Sequence, residues 1–243
     1  MKMSQLLNLY LFLYNSLQAC GWAISLIRVL SSFISTTSVT SAYASSGELI
    51  CLLQTVALLE TIHGAIGIVP NGALFPLLQW FGRTHCVVAV AHGVKEVQEN
   101  ASIFIIFVAW CVTEVASSFL LLNLNLPFVL AHNKINAKVV RYPNYALNCF
   151  GTSPYILTYL RYTLFIVLYP TGFLSELWLM YKALPFIKKK KLYEGLFAGL
   201  PFGYSGFVLA VICLYPLIFP KMYLHMFKQR RSKLGKYHIK KAS

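Results

Sequence analysis

Between residues 161 and 176 the chain reads RYTLFIVLYPTGFLSE, and Tyr162, Tyr169 and Glu176 carry proton-active side chains at a fixed interval of seven. Seven residues are close to two turns of α-helix, so the three share one face. Tyr169 and Glu176 then stand about 10.5 Å apart along the axis, and side chains leaning toward each other across that gap could flank a small reacting group. Pro170 removes a backbone amide and displaces the carbonyl of Ile166, while Gly172 leaves the backbone open to a ligand. The same features also describe a structural span, a proline-kinked helix with an interfacial tyrosine and a glutamate near its end. On spacing alone the two readings stand level.

Composition decides what this helix crosses. The 243 residues are 58% hydrophobic and 12% charged, with mean hydropathy +0.64. A soluble domain carries about 25% charged residues. A water-soluble core of this size cannot hide so much apolar surface, whereas lipid accepts it. Runs near the length needed to span a bilayer fall at roughly Leu6–Leu30, Leu49–Val69, Leu74–Val94, Ile103–Leu122, Tyr155–Met180 and Leu196–Phe219. The expected fold is therefore all-α, a polytopic membrane helix bundle of about six transmembrane helices. Arg83, His85 and His92 interrupt the third run, and Ser31–Gly47 and Pro70–Gly72 read as loops.

The charge balance excludes several chemistries. The seven acids are all Glu, which removes Asp-based triads and Asp-rich or Walker-type magnesium sites. Six cysteines are scattered without a CxxC pair, so neither a zinc site nor a disulfide framework is expected. Net charge is +14, concentrated in Lys188–Lys191 and in the segment from Lys221 to Lys241. Beside spanning segments, such basic runs hold an anionic leaflet more often than nucleic acid, and no nucleic-acid partner is expected.

Ionisable groups at bilayer depth are functional candidates by default. They are Arg28, Glu60, His63, Arg83, His85, His92, Glu114, Arg161 and Glu176, of which Arg28, Glu60 and Glu114 are open to explanation as helix-end or structural pairs. His85 and His92 lie two α-helical turns apart on one face with Glu96 a turn beyond, too widely spaced for two imidazoles to chelate one ion. Structural pairing is the expectation there, with no metal and no cofactor.

The run SPYILTYLRYTLFIVLYPTGFLSELWLMYKALP (153–185) resembles the signature region of the very-long-chain 3-hydroxyacyl-CoA dehydratases, also known as protein-tyrosine-phosphatase-like proteins. The resemblance extends over LLQTVALLETIHGAIGIVP, AHGVKEVQENAS, RYPNYALN and QRRSKLGK, most of the chain. It implies an endoplasmic-reticulum, multi-pass enzyme that dehydrates a (3R)-3-hydroxyacyl-CoA to the trans-2-enoyl-CoA in the third step of fatty-acid elongation. It also implies a catalytic Tyr and Glu in one helix, matching Tyr169 and Glu176. Apart from the resemblance, Tyr162 and Arg161 are substrate-side candidates, and Arg161 and the cytosolic lysines are candidates for the CoA phosphates on charge alone. Expected partners are the acyl-CoA, the lipid bilayer and the elongation enzymes: ketoacyl-CoA synthase, ketoacyl-CoA reductase and enoyl-CoA reductase. The alternative is a catalytically inactive member or splice form acting as a membrane scaffold for those enzymes. The older name does not carry over as an activity. In HGAIGIVP, Gly64 and Pro70 stand where a cysteine phosphatase needs its nucleophile and its arginine.

Two features of organisation complete the expectation. Relative to the family pattern about 25 residues, roughly Ala116–Val140, are added between TEV (Thr113–Val115) and RYPNYALN. Residues 1–220 are read as the transmembrane dehydratase domain and 221–243 as a basic cytosolic tail. That tail ends Lys240-Lys241-Ala242-Ser243, the spacing of a dilysine retrieval signal. An even span count then puts both termini in the cytosol, against which Lys182 and Lys188–Lys191 count under the positive-inside rule.

Overall fold

The computed structural model describes residues 3–68, 72–132 and 154–242. RYPNYALN and the second part of the added segment, 133–140, lie outside the described residues. The long helices are α1 (Met3–Thr36), α2 (Ala42–Val56), α3 (Leu58–Ala65), α4 (Leu74–Thr84), α5 (Ala101–His132), α6 (Pro154–Lys190) and α7 (Tyr204–Ala242), and no strand occurs among the described residues. A helix stands at each of the six expected positions. Among the described residues three are long and apolar enough to cross a membrane: Leu6–Thr36, Ala42–Ala65 (α2 and α3 together) and Tyr204–Lys228. Ala101–Ala116 is a shorter apolar helix.

These helices bury a polar-spotted stripe and turn apolar side chains outward, the pattern lipid selects. In α1, Tyr14, Gln18, Trp22, Ser25 and Val29 are buried at intervals of three and four. Leu17 and Ile34 on other faces remain 73% and 75% exposed. Water would penalise that exposure; hydrocarbon does not. In α6 the buried stripe runs Gly172, Ser175, Glu176, Leu179, Met180, Ala183 and Ile187, so Glu176 belongs to the packed face.

The Ser/Thr-rich segment is shorter as a loop than its composition predicts. α1 continues to Thr36 and α2 begins at Ala42 because hydroxyls take over the helix ends. Thr36 Oγ1 donates to the Ser32 carbonyl at 2.7 Å and accepts from the Ser38 amide at 3.2 Å. Thr37, at φ 51°, turns the chain in between. Ser46 in α2 then donates its hydroxyl to the Ser25 carbonyl at 3.2 Å, a bond between helices made by a small residue.

The third run is divided. α4 ends at Thr84 and the chain continues as π-helix over His85–His92. The i→i+5 ladder adds a residue to each turn, so seven residues no longer return to the same face. The expectation that His85 and His92 share a face is thereby corrected. The end of α6 shows a different device: Lys191 at φ 52° lets the Leu192 amide reach the Ile187 carbonyl at 3.3 Å, closing the helix. Lys190 there pairs with Glu96 at 2.6 Å. That ammonium holds the Glu96 carboxyl below the usual carboxylate range. Basic residues 221–242 continue α7 as helix rather than starting a separate element.

By contacts the chain forms two compact units, one of residues 24–110 and 170–221, the other of 1–23, 111–169 and 222–243. α1, α5, α6 and α7 each contribute to both.

Candidate active site

Glu176 is only 9% exposed, and a buried carboxyl needs partners. Its partners come from three other helices. Gly172 in α6 is buried, and a Cβ on it would meet the Ala109 Cβ of α5 at an ordinary contact distance of 3.6 Å. This small-residue contact brings the next residue of α5, Trp110, within reach of α6. The Trp110 indole Nε1–H donates to Glu176 Oε1 at 3.0 Å. From α7, the Tyr215 hydroxyl donates to Glu176 Oε2 at 3.2 Å. From α4, the Arg83 guanidinium sits over the Trp110 ring at 5.2 Å and acts electrostatically on Glu176. Phe173 stacks on Tyr215 at 5.7 Å and on Phe219 at 4.0 Å, which fixes the phenol that faces Glu176. Gly172, expected to open the backbone to a ligand, is buried and faces Ala109 of α5.

The carboxylate is thus held by one donor on each oxygen, with lone pairs left on both to take a proton. Gly82 in α4 completes the enclosure, since a Cβ there would fall 2.5 Å from the Tyr215 hydroxyl oxygen. Gly82→Ala is expected to displace that hydroxyl from Glu176. Losing a hydrogen bond to a charged group, about 1.5–3 kcal/mol, predicts a fall in kcat/KM of about tenfold to a hundredfold. Alanine favours helix by about 0.5–1 kcal/mol, less than the lost hydrogen bond costs, so Tm should fall modestly along with activity. Parallel kinetics and thermal unfolding check both signs.

Tyr169 is half-buried in the other unit, where its ring lies parallel to that of Tyr223 in α7, centroids 6.1 Å apart and planes 7° from parallel. The Ile166 carbonyl, deprived of an amide partner by Pro170, accepts instead from the Tyr223 hydroxyl at 3.0 Å. Proline at this position is therefore compensated by a second helix. Tyr162 and Arg161 are residues of α6, and their side chains lie outside the described ones.

The histidines are spoken for separately. His85 Nε2 hydrogen-bonds the Tyr204 hydroxyl at 3.1 Å, and His92 Nδ1 pairs with the Tyr43 hydroxyl at 2.9 Å and with Glu48 at 3.4 Å. Glu96 is taken by Lys190. Among the described residues no three His, Cys, Asp or Glu side chains gather as metal ligands. At Gly64 a Cβ would collide with the Gly72 carbonyl, so a nucleophilic cysteine has no room at that place in HGAIGIVP.

Trp110, Tyr215 and Arg83 complete the site without having been read from the sequence as its members. A tryptophan inside an apolar run carries an N–H that lipid cannot satisfy, and that was the available signal for an internal acceptor.

Lipid-facing helices around a fully partnered internal glutamate define a helical membrane protein with a candidate acid–base centre. Its family follows from the sequence as a whole: a family-wide profile described as "Protein tyrosine phosphatase-like protein, PTPLA" matches residues 54–132 and 128–236, and the chain belongs to that family. It is 34% identical to the mouse (Mus musculus) "Very-long-chain (3R)-3-hydroxyacyl-CoA dehydratase 2", over 93% of this chain and 81% of that protein. It is 30% identical to "Very-long-chain (3R)-3-hydroxyacyl-CoA dehydratase 1" of Canis lupus familiaris, over 96% and 85% respectively. The Caenorhabditis elegans "Very-long-chain (3R)-3-hydroxyacyl-CoA dehydratase hpo-8" is 30% identical over 93% of this chain and 94% of its own length. No solved structure matches the chain.

Proposed function

We propose that this protein dehydrates long-chain (3R)-3-hydroxyacyl-CoA to trans-2-enoyl-CoA in the endoplasmic-reticulum membrane, with Glu176 as base and Tyr169 as acid. The observation that carries the reading is the internal carboxyl of Glu176, both oxygens held by donors, on the same uninterrupted helix as Tyr169. The named activities of the relatives supply the reaction class. Glu176 takes the proton from C2, the C2–H electron pair becomes the C2–C3 double bond, and the C3–O bond breaks as Tyr169 protonates the departing hydroxyl. Water leaves, and the proton on Glu176 returns to Tyr169 through solvent or substrate exchange. The residues required are a base and an acid. Trp110 and Tyr215 orient the base, and Arg83 balances its charge.

The reading includes the elongation cycle as setting, with a ketoacyl-CoA reductase supplying the substrate and an enoyl-CoA reductase consuming the product. Arg161 and Tyr162, each about two α-helical turns before Tyr169, remain the substrate-side candidates in α6. The added segment, roughly 116–140, bears on whether activity is retained. The two parts of the family match overlap at residues 128–132, inside that segment. α5 carries it as helix as far as His132. The test is formation of enoyl-CoA from a long-chain (3R)-3-hydroxyacyl-CoA by purified full-length protein and by a form lacking 116–140. Turnover by both supports the enzyme; turnover only by the shortened form supports an inactive scaffold isoform.

A further inference from the structure

The family motif QRRSKLGK, which starts at Gln229, has no part in the acid–base centre, yet it lies on the helix that carries Tyr223. Tyr223, Phe227 and Arg230 recur at intervals of four and three, so they share one face of α7. The rings of Tyr223 and Phe227 meet edge to face at 5.0 Å, continuing the Tyr169–Tyr223 stack down that face. Next in the series, Arg230 has its Nε out of contact with solvent and without a hydrogen-bond partner among the described residues. A buried, unused guanidinium donor is costly unless something occupies it. Lys228 and Arg231 flank it on the exposed side. A guanidinium presents its donors as a planar fork that fits phosphate oxygens two at a time, and added lysine and arginine charge favours a polyanion.

We propose that Arg230, with Lys228 and Arg231, binds the phosphate groups of the acyl-CoA, so that the thioester arm runs along the Phe227–Tyr223 face and reaches Tyr169 from the basic end of α7. Arg230 stands about 10.5 Å along the helix from Tyr223 by rise alone. The inference rests on the dehydratase reading for the identity of the ligand, but the phosphate site itself does not. The shared chemistry is a phosphate ester, which a lipid headgroup could also supply.

The test uses full-length protein in nanodiscs of neutral phosphatidylcholine and, separately, of phosphatidylcholine with phosphatidylserine. Calorimetric binding of adenosine 3′,5′-bisphosphate is measured beside kinetics with the CoA thioester and with the matching pantetheine thioester, which lacks the phosphates. Arg230→Gln is expected to weaken bisphosphate binding and to raise KM for the CoA thioester by tenfold or more. It should leave kcat, and all constants for the pantetheine thioester, within twofold. Arg230→Lys should fall between, keeping charge but losing the fork. Equal effects on both thioesters, or an effect present only with phosphatidylserine, would overturn the proposal in favour of a structural or headgroup role. Absence of bisphosphate binding by the wild-type protein would overturn it as well. Bisphosphate binding without turnover of either thioester would retain the site and sink the dehydratase reading instead.

Discussion

Tyr169→Phe is expected to lower enoyl-CoA formation by about 10²- to 10⁴-fold while the protein still inserts and folds. The substitution removes only the hydroxyl. The parallel stack on Tyr223 is made by the ring, and the Tyr223 hydroxyl keeps its bond to the Ile166 carbonyl freed by Pro170. With the ring stack and the Tyr223–Ile166 bond retained, the variant is expected to fold, which thermal unfolding checks. If the tyrosine protonates the leaving hydroxyl, phenylalanine leaves that oxygen to depart without a proton, and kcat carries the loss. Full activity in this variant would remove Tyr169 from the mechanism.

Glu176→Gln carries the second large effect, and its local structure makes the test selective. Trp110 can only donate, so the glutamine carbonyl oxygen must take over the 3.0 Å contact with its indole. The glutamine NH₂ then faces the Tyr215 hydroxyl, which can rotate and accept. Both hydrogen bonds survive with one reversed in sense, and volume is conserved. Stability should shift by no more than about 1 kcal/mol. The amide cannot take a proton from C2, so kcat should fall by about 10²- to 10⁴-fold. Glu176→Ala, by contrast, removes the acceptor of the buried Trp110 indole N–H, and should cost stability as well as activity. Glutamine losing activity alone, and alanine losing both, is the pattern expected of a base that is also a structural anchor.

The helical membrane fold was legible because lipid imposes one simple rule, long apolar runs with satisfied backbones, and the runs are counted directly. That Tyr169 and Glu176 fall on one helix was legible for a similar reason, since a seven-residue interval is local information. Trp110, Tyr215 and Arg83 were not. They reach Glu176 from α5, α7 and α4, and no periodicity within α6 encodes which residues of other helices stand opposite. Gly172 illustrates the limit: sequence offers a bare backbone, and only packing shows that it is buried and faces Ala109. The π-helical run His85–His92 defeats spacing arguments outright, because the residues per turn change where the pattern is read. The loop after α1 was overestimated because Ser and Thr are also able to stay helical and bond their own turn, as Thr36 does.

Exchange at C2 tests the central claim most directly. In D₂O, purified wild-type protein equilibrating (3R)-3-hydroxyacyl-CoA with trans-2-enoyl-CoA should introduce one deuterium at C2 of the hydroxyacyl species, detected by mass spectrometry. Glu176→Gln, folded by the same thermal criterion, should introduce none on that timescale. Deuterium incorporation by Glu176→Gln at the wild-type rate would contradict the assignment of Glu176 as the base.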